Sequence, residues 1–426
     1  MRIDTLLHNR RLNFSSFQKK LLILISVFGP ATIAAMADND AGGVATYSIA
    51  GARLGYPILF PLIIITLLLA ITQEMGMRLT IITRKGLADL IREKFGVKVS
   101  LVIFSALLIA NMGTIITELS AVKTTSTLLN IPSIPAVLVM VLIAFVVITK
   151  GSYRITQNVM LIACLFFITY IFSAIKAKPD WGLATSNLLY PHGVQFSQQY
   201  LKDYIIIGLG VIGTTITPWG QFFISSFAYD KKIEEGKVLY ARLETYWGAL
   251  LTDFFSFFMI VATAATLFVN KIPLVSGEQA ALAIKPFAGP LASELFAVGI
   301  LNAGFMGLVA VSLSTAYAFA EFFGLSGSLD DSYQQSKTFY IFFILQLAIA
   351  TSVIMLPGIS LFKLAITTQI INAIALPLVF YYLIKLTSDR ELMGEHVNTR
   401  FQKYFTIGAT WVILIASVVT IASVIR

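Results

Sequence analysis

The stretch ADNDAGGVATYS, residues 37–48, interrupts an apolar run that hydropathy alone would read as one membrane-spanning helix. It carries Asp38, Asn39, Asp40 and the pair Gly42 and Gly43. A carboxylate near the centre of a spanning helix costs about 2.5–3.5 kcal/mol on insertion scales, so two of them require a polar cavity, a partner or an ion. Gly42 and Gly43 remove the side chains that would support a helix, which makes local unwinding cheap. The stretch is read as the break in a discontinuous helix. The competing reading is a kinked span whose aspartates bond to neighbouring helices.

A second interruption, GLGVIGTTITPWGQFF at 208–223, crowds Gly208, Gly210, Gly213, Pro218 and Gly220 into another apolar run with Thr214, Thr215 and Thr217. An ordinary helix cannot pass through its centre. This run is the sixth expected span and the first stretch lies in the first. Paired broken helices at corresponding positions of two five-span halves mark the midplane site of an inverted-repeat transporter, where unwound carbonyls hold cations.

The rest of the chain supplies the frame. With 57% hydrophobic and 12% charged residues, it is a polytopic membrane protein and not a soluble one. The single cysteine, Cys164, excludes a disulfide framework and a thiolate metal cage. Eleven spans are expected, near 21–52, 57–82, 99–129, 132–149, 156–175, 201–228, 245–270, 291–322, 338–355, 358–386 and 404–425. The division is a cytoplasmic segment at 1–20, a first five-helix repeat at 21–175, a second at 201–386 and an eleventh helix at 404–425. The amino-terminal apolar run lacks a cleavage-site pattern and is read as retained.

With the amino terminus inside, the inner segments hold 21 of the 31 Lys and Arg residues and the outer segments seven. The positive-inside rule therefore puts the carboxyl terminus outside. The net charge of +9 lies between spans, where topology explains it better than nucleic acid does. The expected partners are a cation substrate and the lipid bilayer. No nucleic acid, obligate protein partner or cofactor is indicated, and neither is an enzyme, because no nucleophile–base pair or His/Cys cluster stands out.

At these residues the sequence resembles the Nramp family of divalent-metal transporters. That family's first span reads G-P, a short apolar stretch, then D-P-G-N and A-T. Here Gly29-Pro30 precedes Asp40-Ala41-Gly42-Gly43-Val44-Ala45-Thr46. Gln73, Arg78-Leu79, Thr83 and Leu87-Ala88 match in the second span, as do Arg390, Met393-Gly394 and Asn398 before the last. The resemblance implies an all-α, leucine-transporter-like fold of two inverted five-helix repeats plus one extra helix, with the first and sixth helices broken.

It also implies a metal site made by the Asp and Asn of the first-span motif, a carbonyl in the sixth span and the methionine of an M-P-H sequence. Aligning Pro218 puts Thr214 at the carbonyl position, Thr217 at the methionine and Trp219 at the histidine. Asp40 survives, whereas the asparagine is Gly43, and Asp38 and Asn39 have no counterpart. Exchanging a thioether for a hydroxyl leaves oxygen donors, suited to Mg²⁺ or Ca²⁺. Glycine for asparagine opens space for an ion that keeps several waters, as Mg²⁺ does. The pattern resembles the Nramp-related magnesium transporters.

The expected metal residues are therefore Asp40, Asp38, Gly43, Thr214, Thr217 and Gln369, the last matching a family glutamine that faces the ion. Glu118, Trp219 and Asn39 are expected around them, Glu118 as a relay acid whose pKa Arg78 or Lys123 could shift. His8, His192 and His396 all lie outside the spans, so proton coupling is expected to be weak or absent. Glu74, Asp253, Glu294 and Glu321 are expected to be paired or at a water boundary, and Lys123 and Lys363 to reach the outer surface. The expected activity is import of divalent cations, most of all partly hydrated Mg²⁺, across a plasma membrane. A proton-coupled Mn²⁺ or Fe²⁺ carrier and a cation-coupled organic-solute symporter are the alternatives.

Overall fold

The structure is a computed structural model that describes residues 16–272, 274, 279–356 and 361–425. His8, most of the 1–20 segment, the Lys363 side chain and Arg426 lie outside the described residues. All regular structure among the described residues is helical. The order is α1 (Ser16–Val27), α2 (Pro30–Ala37), α3 (Ala41–Leu54), α4 (Phe60–Thr83), α5 (Leu87–Phe95), α6 (Val97–Leu128), α7 (Ser133–Thr149), α8 (Tyr153–Leu165) and α9 (Ile168–Lys176). After the short α10 (Trp181–Ser186) come α11 (Gln198–Thr215), α12 (Pro218–Lys231), α13 (Val238–Thr263), α14 (Gln279–Ala288), α15 (Pro290–Phe323), α16 (Lys337–Ile354), α17 (Leu361–Thr387), α18 (Arg390–Met393) and α19 (Arg400–Ile425).

Nine helical stretches among the described residues are long and apolar enough to cross a membrane. Of the two other expected spans, 132–149 is the apolar 17-residue α7, and 21–52 is divided among α1, α2 and α3. The expected span at 156–175 corresponds to the single stretch Tyr153–Lys176, within which a turn at Phe166 and Phe167 separates α8 from α9. Boundaries follow local chemistry. Pro290 follows Gly289 at the start of α15, where a missing N–H is harmless, and Gly324 at φ 67° ends that helix.

The broken helix α2–α3 runs through the middle of the bundle. Every residue of α2 and all of α3 except Arg53 is buried. Around it, α13 packs on α4 and on both halves of the broken helix, α15 packs along α6, and α11 packs along α17. At the last contact, a Cβ on Gly213 would overlap the Gln369 carbonyl, so only glycine permits that approach. The outer helices turn apolar side chains outward, as Trp411, Val412, Ile415 and Val418 of α19 do, which fits a lipid-facing surface.

Buried polar groups fix the relative positions of these helices. Glu244 of α13 accepts the backbone N–H groups of Gly29 (2.8 Å) and Thr32 (2.9 Å), so it caps the amino end of α2 from a different helix. Glu244→Ala is expected to lower stability by about 1–2 kcal/mol, the usual cost of a lost cap. Thermal unfolding in detergent checks this.

Glu74 receives Arg78 Nε (2.8 Å), Arg242 Nε (2.9 Å) and Gln402 Nε2 (2.9 Å), which ties α4 to α13 and α19. Arg78 also donates to Asn398 and to the His396 carbonyl, holding the 388–398 segment. The expectation that Arg78 acts on Glu118 is thereby corrected, because its guanidinium is committed to Glu74. Lys123 likewise donates to the Ile354 carbonyl (2.8 Å) at the end of α16, with its side chain only partly buried. Of the other membrane acids, Glu74 is paired as expected. Glu321 is buried on Ser226 Oγ (2.5 Å) and the Ala88 N–H (3.1 Å), with no basic partner among the described residues.

Candidate ion site at the paired helix breaks

The helix stops at Ala37 and restarts at Ala41, leaving Asp38, Asn39 and Asp40 across the break. Asp40 adopts extended backbone as the N-cap of α3, and its Oδ1 accepts the Gly43 N–H at 2.6 Å. This is what a short acidic side chain does at a helix start. Its Oδ2 is buried with no partner.

The second break is built in the same way. Thr217 is the N-cap of α12, with Pro218 in the first turn, and its Oγ1 accepts the Gly220 N–H at 3.0 Å. Pro218 has no N–H, so the Thr214 carbonyl four residues before it loses its helical donor. Thr217 then donates its own proton to Asp38 Oδ1 at 2.7 Å, joining the two breaks. Gln73 Nε2 of α4 donates to Asp38 Oδ2 at 3.2 Å. Thr217→Val is expected to cost about 1 kcal/mol through the lost cap. Thermal unfolding without divalent cations isolates that loss from any effect on ion binding.

Gly43 marks where the oxygens meet. A Cβ placed on it would lie 2.7 Å from Thr214 Oγ1, 2.9 Å from the Asp38 carbonyl oxygen and 3.3 Å from Asp40 Oδ1. Those distances leave no room for a side chain, so glycine at this position lets a hydroxyl, a carbonyl and a carboxylate oxygen close in on the break. Gln369 of α17 reaches the adjacent Gly42, whose Cβ would lie 2.8 Å from Gln369 Nε2. The amide nitrogen faces the break, and the oxygen accepts from Asn372 Nδ2 at 2.9 Å. Gln369 Nε2 has no hydrogen-bond partner among the described residues.

Glu118 of α6 accepts the N–H groups of Ala41 (2.9 Å) and Gly42 (3.3 Å). It and Asp40 together neutralise the positive amino end of α3. The carboxyl ends of α2 and α11 point carbonyls toward the same region, the arrangement that favours a cation. Asp38, Asp40, Glu118, Thr214, Thr217 and Gln369 are all at most 1% exposed, so the region is closed to solvent. One seal joins α3 to α11, where Tyr47 Oη and Thr215 Oγ1 are 2.7 Å apart.

The two neighbours Asn39 and Trp219 are both buried beside the breaks. Asn39 turns away, donating to the Thr252 carbonyl (2.9 Å) and accepting from Ser256 Oγ (2.8 Å), so it fastens the break to α13 and lines no cavity. Trp219 is fully buried with its carbonyl accepting Ser314 Oγ at 2.8 Å, and its ring packs edge-on to Phe223. Sequence reasoning missed Gln73 as a site residue and the Tyr47–Thr215 seal. A glutamine in an apolar span was the available signal for the first, and the second has none.

Among the described residues no three His, Cys, Asp or Glu side chains converge as a metal cluster. The donors at the break are carboxylate, carbonyl and hydroxyl oxygens, a hard-cation set. Toward the ends of α4, α12 and α15 a cavity of about 590 Å³ opens, lined in part by Arg84, Asp89, Asp230, Lys232, Glu321 and Asp331. Burial pushes the Asp89 carboxyl above its usual value, against the lowering pull of Arg92.

Residues 31–423 match the family model described as natural resistance-associated macrophage protein-like, Nramp. A protein of Levilactobacillus brevis called divalent metal cation transporter MntH is 24% identical over 411 residues, spanning 92% of this chain and 86% of its own. The manganese transporter of Eremococcus coleocola, crystallised with an aromatic bis-isothiourea compound, superposes with a TM-score of 0.74 at 22% identity, covering 96% of this chain and 88% of that one. Mhp1, a nucleobase-cation-symport-1 family transporter in a closed conformation, superposes more loosely, with a TM-score of 0.52 at 16% identity over 93% and 92% of the two chains.

Proposed function

The chain belongs to the Nramp family of multi-pass membrane transporters, and on that premise we propose that it imports divalent metal cations, with partly hydrated Mg²⁺ preferred. The observation that carries the preference is the set of oxygens that converges at Gly43, together with Thr217 in place of a thioether. Mg²⁺ takes oxygen ligands, so a donor set of carboxylate, carbonyl and hydroxyl suits it. In this reading Asp40 Oδ2 meets the ion or its water shell, while Asp38, the Thr214 carbonyl and the hydroxyls of Thr214 and Thr217 accept from that shell. Gln369 bounds the site through its amide nitrogen.

The site would open alternately to the two sides by movement of α2–α3 and α11–α12 against the rest, within two five-helix repeats at 21–175 and 201–386. An eleven-span arrangement with the amino terminus in the cytoplasm and the carboxyl terminus outside, in a plasma membrane, completes the reading. The cavity beside Arg84 and Asp230 then lies on the inner side, where an ion would leave. Coupling to protons is weak or absent, because Trp219 stands where an imidazole would be.

Mn²⁺ transport is the second reading, favoured by the names of the relatives. Calorimetric titration of the purified protein separates the two. Mg²⁺ should bind saturably in the wild type and weakly in Asp40→Asn, with Mn²⁺ showing no preference of the kind a thioether confers. Saturable Mn²⁺ binding without measurable Mg²⁺ binding would sink the Mg²⁺ reading.

A further inference from the structure

Asp253 of α13 lies inside a long apolar helix, 4% exposed, and among the described residues it is in no ion pair. Its Oδ2 contacts Thr66 Oγ1 of α4 at 2.6 Å. That hydroxyl also lies 2.7 Å from the Leu62 carbonyl and has one proton for two acceptors, so the carboxylate receives at most one hydrogen bond. Its Oδ1 has none, and the hydroxyl of the adjacent Thr252 is buried and unpartnered as well. Asp38 and Glu118, by contrast, each accept two donors.

Charge makes the contrast consequential. Asp38, Asp40, Glu118 and Asp253 lie in or beside the break, and among the described residues none meets Lys or Arg. A divalent ion at Asp40 would neutralise two negative charges and leave others in a low-dielectric interior, which is costly without further positive charge. Asp253 is joined to the break through its own helix turn, because Asn39 bonds both the Thr252 carbonyl and Ser256.

We propose that Asp253, with Thr66, is a second cation position that takes one monovalent positive charge, Na⁺ or a proton, beside the divalent-ion site. This rests on the cation-transport reading but concerns a different pair of helices. Its occupant offsets the charge that the divalent ion leaves uncompensated, so it stabilises the closed arrangement of α4 and α13 against the break. Asp38 at the break and Tyr47 of α3 are the titratable groups that face it. Glu74 and Arg78 of α4 and Arg242 of α13 lie at least about two helical turns away and are paired with one another. On α9, Tyr170 packs on Phe296 instead.

The test is thermal unfolding of the purified full-length protein without divalent cations, with Na⁺ exchanged for choline at fixed pH, and separately across mildly acidic to mildly alkaline pH in choline. A melting temperature that rises with Na⁺ in the wild type, but not in Asp253→Asn, identifies Na⁺. One that falls as pH rises in the wild type only, with no Na⁺ effect, identifies the proton, since a group stabilised by protonation loses that stability at higher pH. Thr66→Val keeps the carboxylate and should weaken the Na⁺ effect by about tenfold in concentration, the worth of one lost contact, which keeps the proposal testable if Asp253→Asn does not fold. Responses to Na⁺ and pH that are the same in the wild type, Asp253→Asn and Thr66→Val would overturn it. Because no divalent ion is present, that failure is separate from a failure of the Mg²⁺ reading.

Discussion

Asp40→Asn lowers divalent-cation uptake by about a hundredfold, with little change in melting temperature. The two halves of that expectation come from the two carboxylate oxygens. Oδ1 caps the Gly43 N–H, and an asparagine oxygen keeps that bond, so α3 still starts where it does. Oδ2 is buried and unpartnered, the position from which a negative charge would meet a cation. Removing one charge from a buried, desolvated pair typically costs about 2–5 kcal/mol, and about 3 kcal/mol is a hundredfold. Tracer uptake into vesicles, beside a melting curve, measures both halves. Normal uptake would remove Asp40 from the mechanism, and a collapsed melting curve would assign it to folding.

Gly43→Asn is the complementary change, because it forces the converging oxygens apart instead of removing the charge. The new Cβ would stand 2.7 Å from Thr214 Oγ1 and 2.9 Å from the Asp38 carbonyl, so the walls of the break must move. The amide would offer itself as a direct ligand in place of one of the ion's waters. Mg²⁺ uptake should fall by about tenfold or more, while Mn²⁺, which gives up water more readily, should fall less. The added change Thr217→Met should widen that difference, since a thioether favours transition metals. An unchanged ratio of Mg²⁺ to Mn²⁺ uptake in both variants would show that water retention does not set selectivity.

Much of the architecture is legible in the sequence because the bilayer punishes exceptions. Asp38 and Asp40 in an apolar run, and Pro218 among glycines in another, are costly unless the helix breaks there, and it breaks at both places. The turn at Phe166 and Phe167 carries no such signal, since neither residue disfavours a helix enough to mark it. Direction is harder to read than position. Asp38, Asn39 and Asp40 are consecutive, but outside a regular helix their side chains diverge, toward Thr217, Thr252 and Gly43 respectively.

Pairing between distant helices is equally hidden. Glu118 stands out as an acid in a span, yet only the approach of α6 to α3 turns it into a cap for Ala41 and Gly42. Arg78 could as well have faced Glu118 as Glu74. The choice follows from the spacing along α4, where Glu74 lies four residues earlier on the same face. Asp253 is visible as an exception, but its lack of an ion pair among the described residues is a fact of packing alone.

The most direct test of the account is Mg²⁺ uptake by the purified protein in proteoliposomes, with Mn²⁺ and Ca²⁺ as competitors and internal pH recorded at the same time. The account predicts saturable Mg²⁺ entry without internal acidification. Entry of Mn²⁺ alone, accompanied by acidification, would contradict both the oxygen-donor site and the loss of proton coupling.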